Sequence, residues 1–141
     1  MSELLKLENQ VCFPVYSLAK EIVNHYRPLL EEMDVTYPQY LVMLVLWEHQ
    51  EQTVSQIGEK VSLDSGTLTP LLKRLEQKGL VSRVRSSEDE RVVQIKLTEQ
   101  GKALQEKAAL VPEQLANSMK ASVAELIQLK KLIDQILANI K

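Results

Sequence analysis

The stretch TVSQIGEKVSLDSGTLTPLLKRLEQKG, residues 53–79, holds two short amphipathic segments separated by a tight polar turn. Thr53 followed three residues later by Gln56 forms a capping box, in which hydroxyl and amide each satisfy a backbone N–H that a helix start leaves unpaired, and opens a helix through Val61. Residues 62–66 supply the turn. Leu68, Leu71, Leu72 and Leu75 then mark one face of a second helix that stops at Gly79. Two short helices joined this closely predict a helix-turn-helix. Pro70 leaves the start of the second helix open: it fits comfortably only in a first turn, and a start at Asp64 places it too deep without distortion.

Downstream, residues 80–85 and 91–97 have strand character and flank the charged run Ser86-Ser87-Glu88-Asp89-Glu90, which predicts a β-hairpin with a charged tip. Thr98 caps a final helical region expected to continue to Pro112. Beyond it, Met119, Val123, Leu126, Leu129, Ile133, Ile136 and Ile140 recur at steps of three and four, close to a coiled-coil seam that would join a partner chain. Upstream, an apolar stripe through Val15, Leu18, Ile22 and Tyr26 predicts a helix from about Leu4, bent at Pro14. The Thr36-Tyr37-Pro38-Gln39 segment restarts the chain. It leads into the apolar run Tyr40 to Trp47, a helix expected at the centre of the core.

With 141 residues, 45% hydrophobic and 26% charged, the chain has the composition of a folded protein. Its one cysteine excludes an intrachain disulfide framework and fits a reducing compartment. The longest apolar run is far below the roughly 18 residues of a spanning helix, so a cytoplasmic protein with no membrane partner is expected. His25 and His49 lack neighbours at metal-ligand spacing, and no metal or cofactor is expected.

The net charge of −2 hides an uneven distribution. Residues 1–52 carry three basic and eight acidic side chains, residues 53–98 eight and six, and residues 99–141 six and five. The helix-turn-helix and hairpin are therefore the basic part, with Lys73, Arg74, Lys78, Arg83, Arg85, Arg91 and Lys96 concentrated there. Charge alone fits a solvated helix face; charge coincident with this motif favours DNA phosphates. Ser65 and Thr67 can approach base edges or phosphates, whereas Asp64 is better suited to capping the helix. Arg91 is placed to enter a minor groove, with Asp89 orienting its guanidinium.

Residues 63–76, LDSGTLTPLLKRLE, followed by Asp89-Glu90-Arg91, resemble the winged helix-turn-helix of MarR-type transcription factors. With Asn9-Gln10-Val11-Cys12-Phe13 and the segment from Thr36 to Glu48, the chain is similar to the organic hydroperoxide-sensing, OhrR-type branch. The resemblance runs from Leu7 to Pro112 and thins in the terminal helix. It implies a mainly α homodimer with a small β-hairpin wing, a single domain over residues 1–141. Residues 1–35 and 99–141 would form the helical dimerisation region and residues 36–98 the winged DNA-binding region. The implied partner is a palindromic double-stranded operator, contacted through Asp64, Ser65, Thr67, Thr69, Lys73, Arg74, Arg85, Asp89 and Arg91.

The same resemblance implies that Cys12 senses the peroxide. Tyr26 and Tyr37 match a pair of tyrosines reaching the thiolate from the other subunit, and Tyr16 matches a further tyrosine nearby. Only the thiolate attacks a peroxide, and phenolic hydrogen bonds to it favour that charged form. On residue type alone, a lone cysteine on a helix stripe would be structural, and each tyrosine would pack. The expected function is a repressor, not an enzyme, that releases DNA when organic hydroperoxide oxidises Cys12, with a low-molecular-weight thiol as possible later partner. The alternatives are a MarR-type regulator released by a small aromatic ligand and a thiol peroxidase, the latter short of a resolving thiol.

Overall fold

The computed structural model describes residues 2–141. They fall into two compact units, one made of the residues before Leu30 and after Ala109, the other of residues 30–109. The architecture is mainly helical with one small antiparallel sheet.

In the first unit, two short 3-10 turns, Glu3–Leu5 and Leu7–Asn9, precede helix α1, Cys12–Glu31. The helix expected from Leu4 thus begins eight residues later. The reason is local: the Asn9 amide donates to the Glu3 carbonyl and the Gln10 amide to the Leu4 and Lys6 carbonyls, bonds that compete with a continuous helix. Pro14 then falls within the first turn of α1, where its missing N–H has no helical partner to lose, and the bend expected there has no cause. The proline inside α1 is Pro28. It forgoes the bond to the Asn24 carbonyl.

The expected helix from Thr98 to Pro112 is also divided. Thr98 does cap it, accepting from the Gly101 N–H at 3.0 Å, but the run breaks into Glu99–Ala103 and Gln105–Ala108. Pro112 opens a further helix, Val111–Met119, as a residue at the first helical positions, instead of closing one. Lys120 at φ 56° ends that helix, so Met119 stands apart from the seam. The terminal helix, Val123–Ile140, starts with a Ser122–Glu125 capping box and has no buried residue.

In the second unit, helix α2 (Tyr37–His49) opens with the Thr36–Gln39 capping box and Pro38 in its first turn. It buries Tyr40, Val42, Met43 and Leu46, the central position its apolar run predicts. Around it pack α3 (Val54–Val61) and α4 (Ser65–Gln77), through Ile57, Leu68, Leu72 and Leu75. Each such fully buried leucine or isoleucine contributes about 2 kcal/mol. The tight turn between α3 and α4 holds Ser62 in the left-handed region, and a Cβ on Gly58 would stand 2.8 Å from the Leu63 carbonyl oxygen.

The hairpin is β2 (Val81–Arg85) paired antiparallel with β3 (Val93–Leu97), in a register that sets Arg83 opposite Ile95. A third strand escaped the sequence reading: β1 (Glu51–Thr53) pairs with the other edge of β3, giving the order β1-β3-β2. At three residues it is too short for an alternation pattern to register.

Candidate nucleic-acid interface and redox site

Helix α4 begins where Asp64 caps it. The Asp64 carboxylate accepts from the Thr67 N–H at 2.7 Å, and its pKa is held below the ordinary value by that backbone bond first and by the Thr67 side chain second. Asp64 is therefore a cap in this geometry. Placing the start at Ser65 puts Pro70 in the sixth position of α4, deeper than its comfortable place; the helix continues there without the bond to the Gly66 carbonyl. Ser65, Thr67, Thr69, Lys73 and Arg74 are all exposed.

Between α4 and the hairpin lies a cleft of about 520 Å³ whose lining includes Ser65, Thr69, Lys73, Arg83, Arg85 and Arg91. Thr67 and Arg74 lie outside that lining. One face thus presents hydroxyls from the helix and guanidinium groups from the hairpin, a combination suited to phosphate oxygens and groove edges.

The tip of the hairpin is built by its own polar groups. Arg85 donates through Nη1 to the Glu90 carbonyl at 2.8 Å, closing the tip. Asp89 accepts from the Arg91 backbone N–H at 3.0 Å, from Nε at 3.1 Å and from Nη2 at 3.3 Å. These bonds, the side-chain ones first, hold the Asp89 pKa below its ordinary value. The Arg91 side chain nevertheless remains 92% exposed, so its charge is aimed and still free to meet an anion.

Three cations of the basic segment already have acidic partners. Lys78 points to the turn joining α1 to α2, Lys96 pairs with Glu51 at 3.7 Å, and Arg83 donates to Glu76 at 3.2 Å. Arg83 joins α4 to the hairpin and lines the cleft, yet its position in the chain carries only the signal of one more cation in a basic segment.

Cys12 is exposed and free at the first position of α1. Tyr16, one turn later, is 60% exposed, and the Lys20 ammonium lies 4.8 Å from its ring centroid. Tyr26 sits on the same helix as Cys12, fourteen residues on. At 1.5 Å per residue that is about 21 Å along the axis, so it does not approach the thiol of its own chain. Tyr37 opens α2 in the second unit, half-buried, with its ring 6.4 Å from that of Tyr40. Burial pushes its phenol pKa up. His25 contacts Ser118 at 3.0 Å and Glu21 at 3.9 Å.

No helix among the described residues is long and apolar enough to cross a membrane. The family model described as "Transcriptional regulator SarA/Rot" matches residues 24–108. The organic hydroperoxide resistance transcriptional regulator of Bacillus subtilis (strain 168) is 50% identical over 136 residues, covering 96% of this chain and 92% of that protein. Among solved structures, overoxidized AbfR bound to DNA matches with TM-score 0.79 and 37% identity, over 99% of this chain and 98% of the other. AbfR, a Staphylococcus epidermidis protein, has also been solved reduced on DNA and with a disulfide formed. A mutant of MarR from E. coli complexed with operator DNA matches with TM-score 0.82 and 25% identity, over 96% of this chain and 99% of that one. Family match, full-length relatives and the helix-turn-helix with its flanking hairpin agree: the chain belongs to the MarR/SarA-type family of winged-helix transcriptional regulators.

Proposed function

We propose that the protein is a homodimeric repressor that holds a palindromic operator in its reduced state and releases it when an organic hydroperoxide oxidises Cys12. The observation that carries this reading is the 50% identity, over nearly the whole of both chains, to an organic hydroperoxide resistance regulator, in a chain whose one thiol is exposed. Ser65, Thr67, Thr69, Lys73 and Arg74 face the major groove and its phosphates, with Asp64 holding the helix entrance. Arg91, aimed by Asp89, enters the minor groove, and Arg85 shapes the tip that carries it.

The exposed apolar side chains of the first unit support dimerisation. Val123, Ile127, Ile136 and Ile140 of the terminal helix are 68%, 58%, 58% and 73% exposed, an arrangement that a single chain in water does not favour. A dimer also resolves the 21 Å problem. Tyr26 and Tyr37 of the partner subunit donate to the Cys12 thiolate, and Tyr16 of the same helix adds a third hydroxyl.

The thiolate attacks the terminal peroxide oxygen, the O–O bond breaks, and the alkoxide leaves and takes a proton to become the alcohol. Cys12 becomes a sulfenic acid. A low-molecular-weight thiol then condenses with it, forming an S–S bond and releasing water. Overoxidised AbfR sits on DNA in its crystal, which favours the added bulk of a thiol adduct, over an oxyacid alone, as the state that loses the operator. The AbfR form with a disulfide names the competing route, which this chain can follow only between two subunits.

Intact-mass measurement after organic hydroperoxide plus a small thiol separates these routes. One thiol adduct per chain, removable by dithiothreitol, is expected. A covalent protein dimer as main product would overturn the adduct route, and an unmodified Cys12 would overturn the redox reading.

A further inference from the structure

We infer that Lys78 is a positioning residue that couples the Tyr37 end of α2 to the far end of the recognition helix; the inference rests on the reading that Tyr37 is part of the peroxide site. Lys78 is the C-cap of α4, its own N–H bonded to the Arg74 and Glu76 carbonyls. Its side chain leaves the helix, and Nζ donates to the Asp34 carbonyl and, at 3.3 Å, to Gln39 Oε1, with Asp34 Oδ1 at 3.8 Å.

The Asp34 carbonyl and the Gln39 amide oxygen sit at defined points of the fold. Asp34 lies in the turn between α1 and α2 at φ 54°, the left-handed region, which is sparsely populated outside glycine. Gln39 is the one buried polar residue of the core among those described, 3% exposed. Its Oε1 also accepts from the Thr36 N–H at 3.0 Å, closing the capping box of α2. One oxygen therefore serves both the N-terminus of α2 and the C-terminus of α4. Tyr37 stands between Thr36 and Gln39, in the turn this box fixes.

Consequently a displacement of Tyr37 that unwinds or rotates the first turn of α2 cannot leave Gln39 Oε1 in place, and Lys78 loses or follows one of its two hydrogen-bond acceptors. Because α4 runs as one continuous helix of 13 residues through Pro70, a shift at Lys78 is carried about 20 Å to Ser65 at the DNA-facing start. Lys78 itself does not line the cleft toward DNA, so its role is to transmit and not to bind.

The test uses the full-length protein with Lys78→Met, which keeps the stem and removes the donor, and Lys78→Arg, which restores one. Operator affinity is measured by fluorescence anisotropy in the reduced and the hydroperoxide-plus-thiol-treated states, and Cys12 modification is followed by intact mass. Lys78→Met is expected to oxidise at the wild-type rate and to bind the operator when reduced within about threefold of wild type. Its ratio of oxidised to reduced Kd should fall by about tenfold, a loss of coupling, with Lys78→Arg recovering most of it. A wild-type ratio in Lys78→Met overturns the inference, as does a Lys78→Met protein that has lost reduced-state binding by more than about tenfold, since that loss marks a purely structural role. A wild-type protein whose Cys12 oxidises without changing operator affinity instead overturns the peroxide-sensing reading beneath it.

Discussion

At Gly101 three requirements meet in one residue. Its N–H donates to the Thr98 hydroxyl at 3.0 Å, its carbonyl accepts from the Trp47 indole at 2.9 Å, and a Cβ there would stand 2.1 Å from the Leu80 carbonyl oxygen. No backbone atom at that distance can be accommodated without shifting the strand. Gly101→Ala should therefore destabilise the fold by about 3 kcal/mol, as an overpacking change, and denaturant unfolding with an unchanged slope would show it. A cost below about 0.5 kcal/mol would mean that the strand yields freely. In sequence Gly101 carries no mark beyond its place three residues after the cap Thr98; the close approach of Leu80 is a long-range fact that no local pattern encodes. The opposite holds for Asp64, where the cap position, residue type and following helix pattern are all local and were legible as such. Arg83 shows the intermediate case, since its charge was visible and its Glu76 partner, on another element, was not.

Among the elements, the wing makes the sharpest claim. The Arg91 side chain is 92% exposed and yet oriented by two bonds to Asp89, so its removal should cost operator affinity and lower the slope of log affinity against log salt by about one unit. An unchanged slope and affinity for Arg91→Ala would place it outside the interface. The pH dependence has a definite sign. The Asp89 pKa is depressed in the folded state, so its hold on Arg91 is present above the ordinary carboxylate pKa and is lost as pH falls through the lowered value. Operator affinity of Asp89→Asn should thus be flatter over that acidic window than that of wild type. Helices and hairpin were readable from capping boxes and apolar spacing, because those signals are repeated within each element. Their ends were less so: Pro70 sits deep in α4, and Pro14 and Pro112 fall in first turns, because a proline marks only where one backbone bond is absent and not which turn of the helix it occupies.

At the scale of the whole molecule, the proposed dimer rests on the exposed apolar side chains of the terminal helix, and the proposed role of Tyr26 at Cys12 depends on that dimer. Polar substitutions at Ile133 and Ile136, 40% and 58% exposed in one chain, should abolish the proposed dimer in sedimentation at micromolar concentration. Reduced monomer stability with the dimer intact would instead assign them to packing within the chain. The candidate peroxide site was legible only through the resemblance of whole segments, since its tyrosines are distributed over two units and, in the proposed dimer, two chains. The central claim is that one oxidisable thiol governs operator binding. Operator binding of wild type and Cys12→Ser, each measured before and after organic hydroperoxide with a small thiol, tests it most directly. Wild type should bind when reduced, release when oxidised and rebind after dithiothreitol, while Cys12→Ser binds throughout. Oxidised wild type holding the operator as tightly as the reduced protein, or Cys12→Ser releasing it under the same treatment, would contradict the account.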